Sequence, residues 1–175
     1  KESLENLLSS FTIFFDKPFV LGDTVKVGGL VGTVEKVGFR SSRLRTPEKS
    51  YVTVPNKKMI DAELDNLSLR TFRRVNQTIG LVYSTPINSI QLIVNEIQKL
   101  LDEHSHTNQD GKARFTDFGA SSLDIMVNYY VDTMDWSTYL DVKQEINYKI
   151  MEIVDKYGSD FAFPTQTILV ENQNS

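Results

Sequence analysis

The 175-residue chain has a formal net charge of −4, with 40% apolar residues, 24% charged residues and no cysteine. That balance excludes a disordered, highly charged chain, and the missing thiols exclude disulfides, zinc–cysteine sites, iron–sulfur clusters and a cysteine nucleophile. No apolar run exceeds three residues, as at 168–170, so nothing here approaches the roughly 20 mostly apolar residues of a membrane-spanning helix or a secretory leader.

Leu4, Leu7, Leu8, Phe11, Phe14 and Phe15 recur at helical spacing, with Ser3 as the expected N-cap and Pro18 as the stop. Such a stripe can pack on its own domain or present itself to a partner or a membrane surface. From Phe19 to about Leu69 the signals are for short strands. Val25 and Val27 flank Lys26, and Gly28-Gly29 supplies a two-residue hairpin turn. Val31, Thr33, Glu35 and Val37 alternate next, with Gly32 and Gly38 as bends or bulges. Strands follow around Arg43–Arg45 and at 51–54, the latter closed by Pro55 and Asn56. A helical turn at 57–60 and a short strand at 64–69 complete a small all-β barrel.

Beyond Arg74 the pattern changes. A strand at 75–83 leads to a helix with Thr85 as cap and Pro86 at its first position. Ile90, Ile93, Val94, Ile97, Leu100 and Leu101 form its apolar face. A polar loop at 104–112 and a weak strand at 113–118 follow. Leu123, Ile125, Val127, Tyr129 and Val131 alternate over nine residues, as a half-buried strand does. Asp135 caps a second helix buried through Tyr139, Val142, Ile146, Ile150, Ile153 and Val154, and Gly158 ends it. A final strand is expected at 166–170. The fold class is therefore α+β, and the order β-α-β-β-α-β is that of a ferredoxin-like unit.

Charge divides along the same line. Residues 1–75 hold 13 basic and 9 acidic side chains, residues 76–175 hold 6 and 14. Arg40, Arg43 and Arg45 cluster near one strand, and Arg70, Arg73 and Arg74 lie at the boundary. These suit RNA phosphates, anionic lipid headgroups or acids on a neighbouring module. The net acidity and the missing RNP-type aromatics argue against RNA. His104 and His106 sit two apart in a polar loop near Asp102, Glu103 and Asp110, without the spacing of a metal site. Residues 29–32 spell a GXXG, but within a hairpin rather than between helices. No nucleophile, base and oxyanion donor can be named together, so neither an enzyme nor a cofactor is expected.

The blocks PFVLGD (18–23), VKVGG (25–29), GTVEKV (32–37), LRT (44–46), VTVPNKKMI (52–60) and NLS (66–68) occur in an order that resembles the β domain of small-conductance mechanosensitive (MscS-family) channels. IGLVY (79–83), GASS (119–122) and FAFP (161–164) are similar to that family's α/β domain. The resemblance implies a membrane-proximal amphipathic helix (1–17), an Sm-like β domain (18–72), a ferredoxin-like α/β domain (73–163) and a C-terminal strand and tail (164–175). That strand is expected to join an intersubunit barrel. Membrane helices, the pore among them, would precede Lys1, which is not an initiator methionine. The implied protein is a homo-oligomer, typically a heptamer, in the inner membrane. It would pass ions and small osmolytes when tension rises, and this portion would form the vestibule on the cytoplasmic side. Pro18, Phe19, Gly22, Asp23, Gly28, Gly29, Gly32, Pro55 and Asn56 are the expected structural motif residues, with the glycines at barrel turns. Arg70, Arg73 and Arg74 are candidates for a portal or interface. No metal, cofactor or nucleic acid is implied, and an Sm-like RNA-binding protein is the alternative.

Overall fold

The structure is a computed structural model and describes residues 2–166 and 168. The chain divides into two compact units, Lys1–Arg70 and Thr71–Ser175.

The first unit begins with helix α1 (Glu2–Asp16). Ser3, expected to cap it, lies inside its first turn. The helix ends where Lys17 turns to a φ of 46° and donates its N–H to the Ile13 carbonyl at 3.1 Å, one residue ahead of Pro18. Strands β1 (Thr24–Val27), β2 (Leu30–Val37), β3 (Ser41–Arg45), β4 (Tyr51–Pro55) and β5 (Leu64–Asn66) form one antiparallel sheet in the order β4-β3-β2-β1-β5. A short helix α2 (Asn56–Asp61) joins β4 to β5, and a 3-10 turn (Leu67–Leu69) follows β5. Alternation places Val25, Val27, Val34 and Leu44 inside, and both end strands reach the same core through Val54 and Leu64. That is the wrapped core of a small barrel.

The second unit holds β6 (Arg73–Leu81), α3 (Ile87–Glu103), β7 (Lys112–Phe118), β8 (Leu123–Val131) and α4 (Trp136–Lys156). Its antiparallel sheet runs β6-β8-β7. Ile93, Ile97 and Leu101 of α3, with Ile146, Ile150 and Val154 of α4, cover one face of that sheet. Asp135 caps α4, its carboxylate accepting the Thr138 N–H at 2.7 Å. That bond holds the Asp135 carboxyl below its ordinary range. Thr85 does not cap α3. Its hydroxyl donates to the Val82 carbonyl at 2.7 Å and shares a hydrogen bond with Ser159, while Pro86 takes the cap position. The chain leaving α4 returns beside β6, where Ala162 N–H reaches the Gly80 carbonyl at 2.9 Å. This is the edge a fourth ferredoxin strand would occupy. The strand expected at 166–170 falls for the most part outside the described residues.

One core group has no match. Tyr129 is fully buried on β8, and its hydroxyl has no hydrogen-bond partner among the described residues. Burial pushes this hydroxyl well above the ordinary tyrosine range. Tyr129→Phe is therefore expected to raise stability by about 1 kcal/mol near neutral pH, since it removes an unpaired buried donor. An unfolded tyrosine ionises near pH 10, whereas the folded one stays neutral, so the wild type loses up to about 1.4 kcal/mol per pH unit above 10 through this group. Denaturant midpoints at pH 8 and pH 11 should diverge less in Tyr129→Phe than in the wild type.

Candidate functional site

The motif residues of the first unit form a hydrogen-bonded clasp. Phe19 is 2% exposed and anchors the loop after α1 in the barrel core. One Asp23 carboxylate oxygen accepts the Val20 N–H at 2.9 Å and an Asn66 amide N–H at 2.8 Å. The same Asn66 amide lies 3.2 Å from the Pro18 carbonyl, and its oxygen accepts the Ser68 N–H at 3.1 Å. Ser68 in turn accepts the Thr24 N–H at 2.8 Å. The PFVLGD and NLS blocks, over 40 residues apart, are thus two halves of one contact.

Pro55 and Asn56 close the opposite corner. Asn56 is fully buried at the start of α2. Its amide donates to the Gly38 carbonyl at 2.7 Å, its oxygen accepts the Ser42 hydroxyl at 2.9 Å, and its own N–H reaches the Arg40 carbonyl at 3.0 Å. Lys57 then ties α2 to α1. Its N–H donates to Asn6 at 2.9 Å and its ammonium to Glu5 at 2.7 Å, which raises the Lys57 pKa above its ordinary value. Periodicity gave no sign of Asn6, a polar residue buried beside an apolar stripe.

The glycines act for different reasons. Gly28 and Gly29 have φ of 53° and 89°, the left-handed pair that a tight hairpin turn demands. Gly22 also has positive φ, at 93°. Gly32 is not at a turn. It lies within β2, where a Cβ would stand 2.9 Å from the Leu44 Cβ and 3.1 Å from the Arg45 carbonyl. Close approach of β3, not backbone freedom, requires glycine there.

The stripe on α1 mostly faces away from the barrel. Asn6 and Ile13 are its buried residues, while Leu4, Leu8, Phe11, Phe14 and Phe15 are exposed. Phe11, Phe14 and Phe15 join Val20, Leu21 and Phe39 around an apolar groove of about 700 Å³. A contiguous exposed surface of this kind marks contact with a partner or a lipid phase.

The six arginines divide between the two units. Arg45 pairs with Glu35 and hydrogen-bonds Tyr51, and Arg43 lies 5.2 Å from the centre of the same ring. Arg70 belongs to the first unit, Arg73 and Arg74 to the second. Arg73 donates to the Met134 carbonyl at 2.9 Å and lies over Trp136, whereas Arg74, on the opposite sheet face, donates to Asn128 at 2.7 Å. His104 is nearly buried between the His106 N–H, which it accepts at 3.2 Å, and Glu145 at 3.5 Å. Among the described residues no three His, Asp or Glu side chains gather as metal ligands.

Two family patterns match this chain. The one described as "Mechanosensitive ion channel, beta-domain" covers residues 2–69, and "Mechanosensitive ion channel MscS, C-terminal" covers 75–161. An MscS-family protein of Aquifex aeolicus is 44% identical over 98% of this chain and 47% of its own length. The small-conductance mechanosensitive channel MscMJ of Methanocaldococcus jannaschii is 38% identical over 99% of this chain and 50% of its own. The chain thus spans about half the length of the curated relatives it matches. Among solved structures, Arabidopsis thaliana MSL1 aligns with a TM-score of 0.87 at 24% identity, over 94% of this chain and 60% of that one. The Helicobacter pylori MscS crystal structure, in its closed state, aligns with a TM-score of 0.81 at 23% identity, over 97% and 66%. With its β-domain and C-terminal domain in the family's order and the family's fold throughout, the chain belongs to the MscS family of mechanosensitive ion channels.

Proposed function

We propose that this chain is the extramembrane assembly and vestibule module of a mechanosensitive channel that releases ions and small osmolytes when membrane tension rises. The observation that carries the proposal is the match of both units, in order, to the two domains of the family. The chain spans about half of its relatives' length, and no helix among the described residues is long and apolar enough to cross a membrane. In this proposal the conducting helices belong to a part of the whole protein outside these residues. In this proposal α1 is the membrane-proximal helix within 1–17, its exposed phenylalanines meeting lipid or neighbouring helices. Residues 18–72 form the Sm-like β domain and 73–163 the ferredoxin-like domain. Residues 164–175 would supply a strand to an intersubunit barrel. The assembly would be a homo-oligomer, a ring of seven, in the inner membrane with this portion on the cytoplasmic side. Its role would be non-catalytic. Pro18, Phe19, Gly22, Asp23, Gly28, Gly29, Gly32, Pro55 and Asn56 would hold the β domain to shape. Arg70, Arg73 and Arg74 would serve a portal or an interface.

The RNA-binding alternative finds no support: Arg45 is already paired with Glu35, and Arg43 and Arg45 share one tyrosine rather than an aromatic platform. The test is electrical. The full-length protein, reconstituted in a membrane patch, is expected to conduct under suction and to stay closed without it. Silence up to patch rupture would refute the channel function.

A further inference from the structure

The chain's two histidines sit where α3 ends, and their surroundings differ. His104 is the residue at which α3 stops, its own N–H bonded to the Leu100 carbonyl at 3.1 Å. Its side chain is only 4% exposed, whereas His106 is exposed. Both ring nitrogens of His104 have partners. Nδ1 accepts the His106 N–H at 3.2 Å, and Nε2 lies 3.5 Å from a Glu145 carboxylate oxygen on α4. A nitrogen that accepts an N–H carries no hydrogen of its own, so this geometry requires the neutral imidazole with its proton on Nε2. The Nδ1 bond does what an Asx side chain does in a turn, holding the N–H two residues on. Thr107 secures the same turn from its other end. Its N–H reaches the His104 carbonyl at 3.2 Å and its hydroxyl the Leu101 carbonyl at 2.7 Å.

Protonation changes this balance. The added hydrogen sits on Nδ1 and faces the His106 N–H, donor against donor, while the Nε2–H gains a full charge toward Glu145. The surroundings pull both ways. Burial and the His106 N–H favour the neutral ring, and Glu145 and the carbonyl end of α3 favour the cation. Glu145 is bonded to Lys149 at 2.7 Å. That bond first, and the nearby His104 after it, hold the Glu145 carboxyl below its ordinary range, so it is charged wherever an imidazole titrates. The other charged groups on these elements have their own settings. Glu103 lies 3.8 Å from Lys99, Asp102 accepts from Gln98 at 2.9 Å, and Asp110 accepts from Asn108 at 3.2 Å. Asp132 and Asp141 are exposed, and the His106 ring centre is 6.1 Å from that of His104.

We propose that His104 is a pH-driven clasp in the α/β unit. Neutral, it holds the 104–107 turn through the His106 N–H. Charged, it gives up that bond and ties the end of α3 to Glu145 of α4 instead. Acid reaching this unit therefore changes what the end of α3 is fastened to, whether or not the chain serves a channel.

Amide exchange on this chain, corrected for the intrinsic effect of pH, is the test. Between about pH 8 and pH 5.5, where imidazoles charge, the protection factor of the His106 N–H is expected to fall about fivefold, the factor that one ordinary hydrogen bond supplies. His104→Asn keeps a side-chain acceptor for the N–H two residues on and cannot titrate, so its protection should stay within about twofold over the same range. His106→Gln removes the second imidazole and should keep the wild-type response. Nitrogen NMR of the wild-type His104 ring needs no variant, and at pH 8 it should show the proton on Nε2. A proton on Nδ1, a His106 protection that ignores pH, or an equal response in wild type and His104→Asn would each overturn the clasp. Loss of the response in His106→Gln would assign it to the other histidine and overturn the clasp as well.

Discussion

Phe19→Ala is expected to destabilise the barrel by about 3–5 kcal/mol, the usual cost of emptying an aromatic site in a close-packed core. Phe19 sits among Val25, Val27, Val34, Leu44 and Met59, most of them inaccessible to solvent. Its loop is held from outside by the Asp23 and Asn66 hydrogen bonds, which restrict how far the chain can collapse into the void. Amide exchange at Val25, Val34 and Leu44 is the measurement. Protection should fall at all three together, because they share the cavity wall. A loss confined to the 18–23 loop would mean that the ring fills space without supporting the sheet.

Asn56→Ala should cost about 2–4 kcal/mol, because it strands the buried Ser42 hydroxyl and removes the donor to the half-buried Gly38 carbonyl. Neither group has another side-chain partner among the described residues. Asn56→Asp tests the same point differently. It keeps the oxygen that accepts from Ser42 but brings a second oxygen against the Gly38 carbonyl, so near neutral pH it should fare no better than alanine. Some of its loss should be recovered under acid, where a protonated carboxyl can donate to Gly38. Denaturant midpoints of the three proteins at pH 4 and pH 7 give the comparison. An Asn56→Asp protein as stable as the wild type at pH 7 would show that the carbonyl contact contributes little.

Much of this was legible in the sequence, where one face of an element is buried and the other is wet. Leu123, Ile125, Val127, Tyr129 and Val131 recur at every second position, and the strand covers those nine residues with that side inward. The buried face of α4 follows as well, since Val142, Ile146, Ile150, Ile153 and Val154 fall on one side of a 3.6-residue turn. The α1 stripe shows why the same rule can mislead. Periodicity identifies the apolar face of a helix but not what that face meets, and here only Ile13 of the apolar residues enters the core. The polar Asn6 is buried because it carries a hydrogen bond to Lys57, and hydrogen bonding has no period. Gly32 is a similar case. Its spacing suggested a bend, whereas its reason is a neighbouring strand, a contact written in Leu44 and Arg45. The clasp joining Asp23 to Asn66 was equally beyond local pattern, since its halves become neighbours only after β1 and β5 pair.

That clasp has a mechanical consequence. The chain enters the barrel at β1 and leaves it at β5, and these two strands are antiparallel neighbours with Val25 opposite Asn66. A pull on both ends of the barrel would load that pairing at one end, where the ladder hydrogen bonds break in sequence. The Asn66 amide reaches across to both the Asp23 carboxylate and the Pro18 carbonyl, so entry and exit are stitched together ahead of the first ladder bond. Force arriving along α1 can then pass to the residues after Asn66 through one side chain, and the sheet between them need carry little of the load.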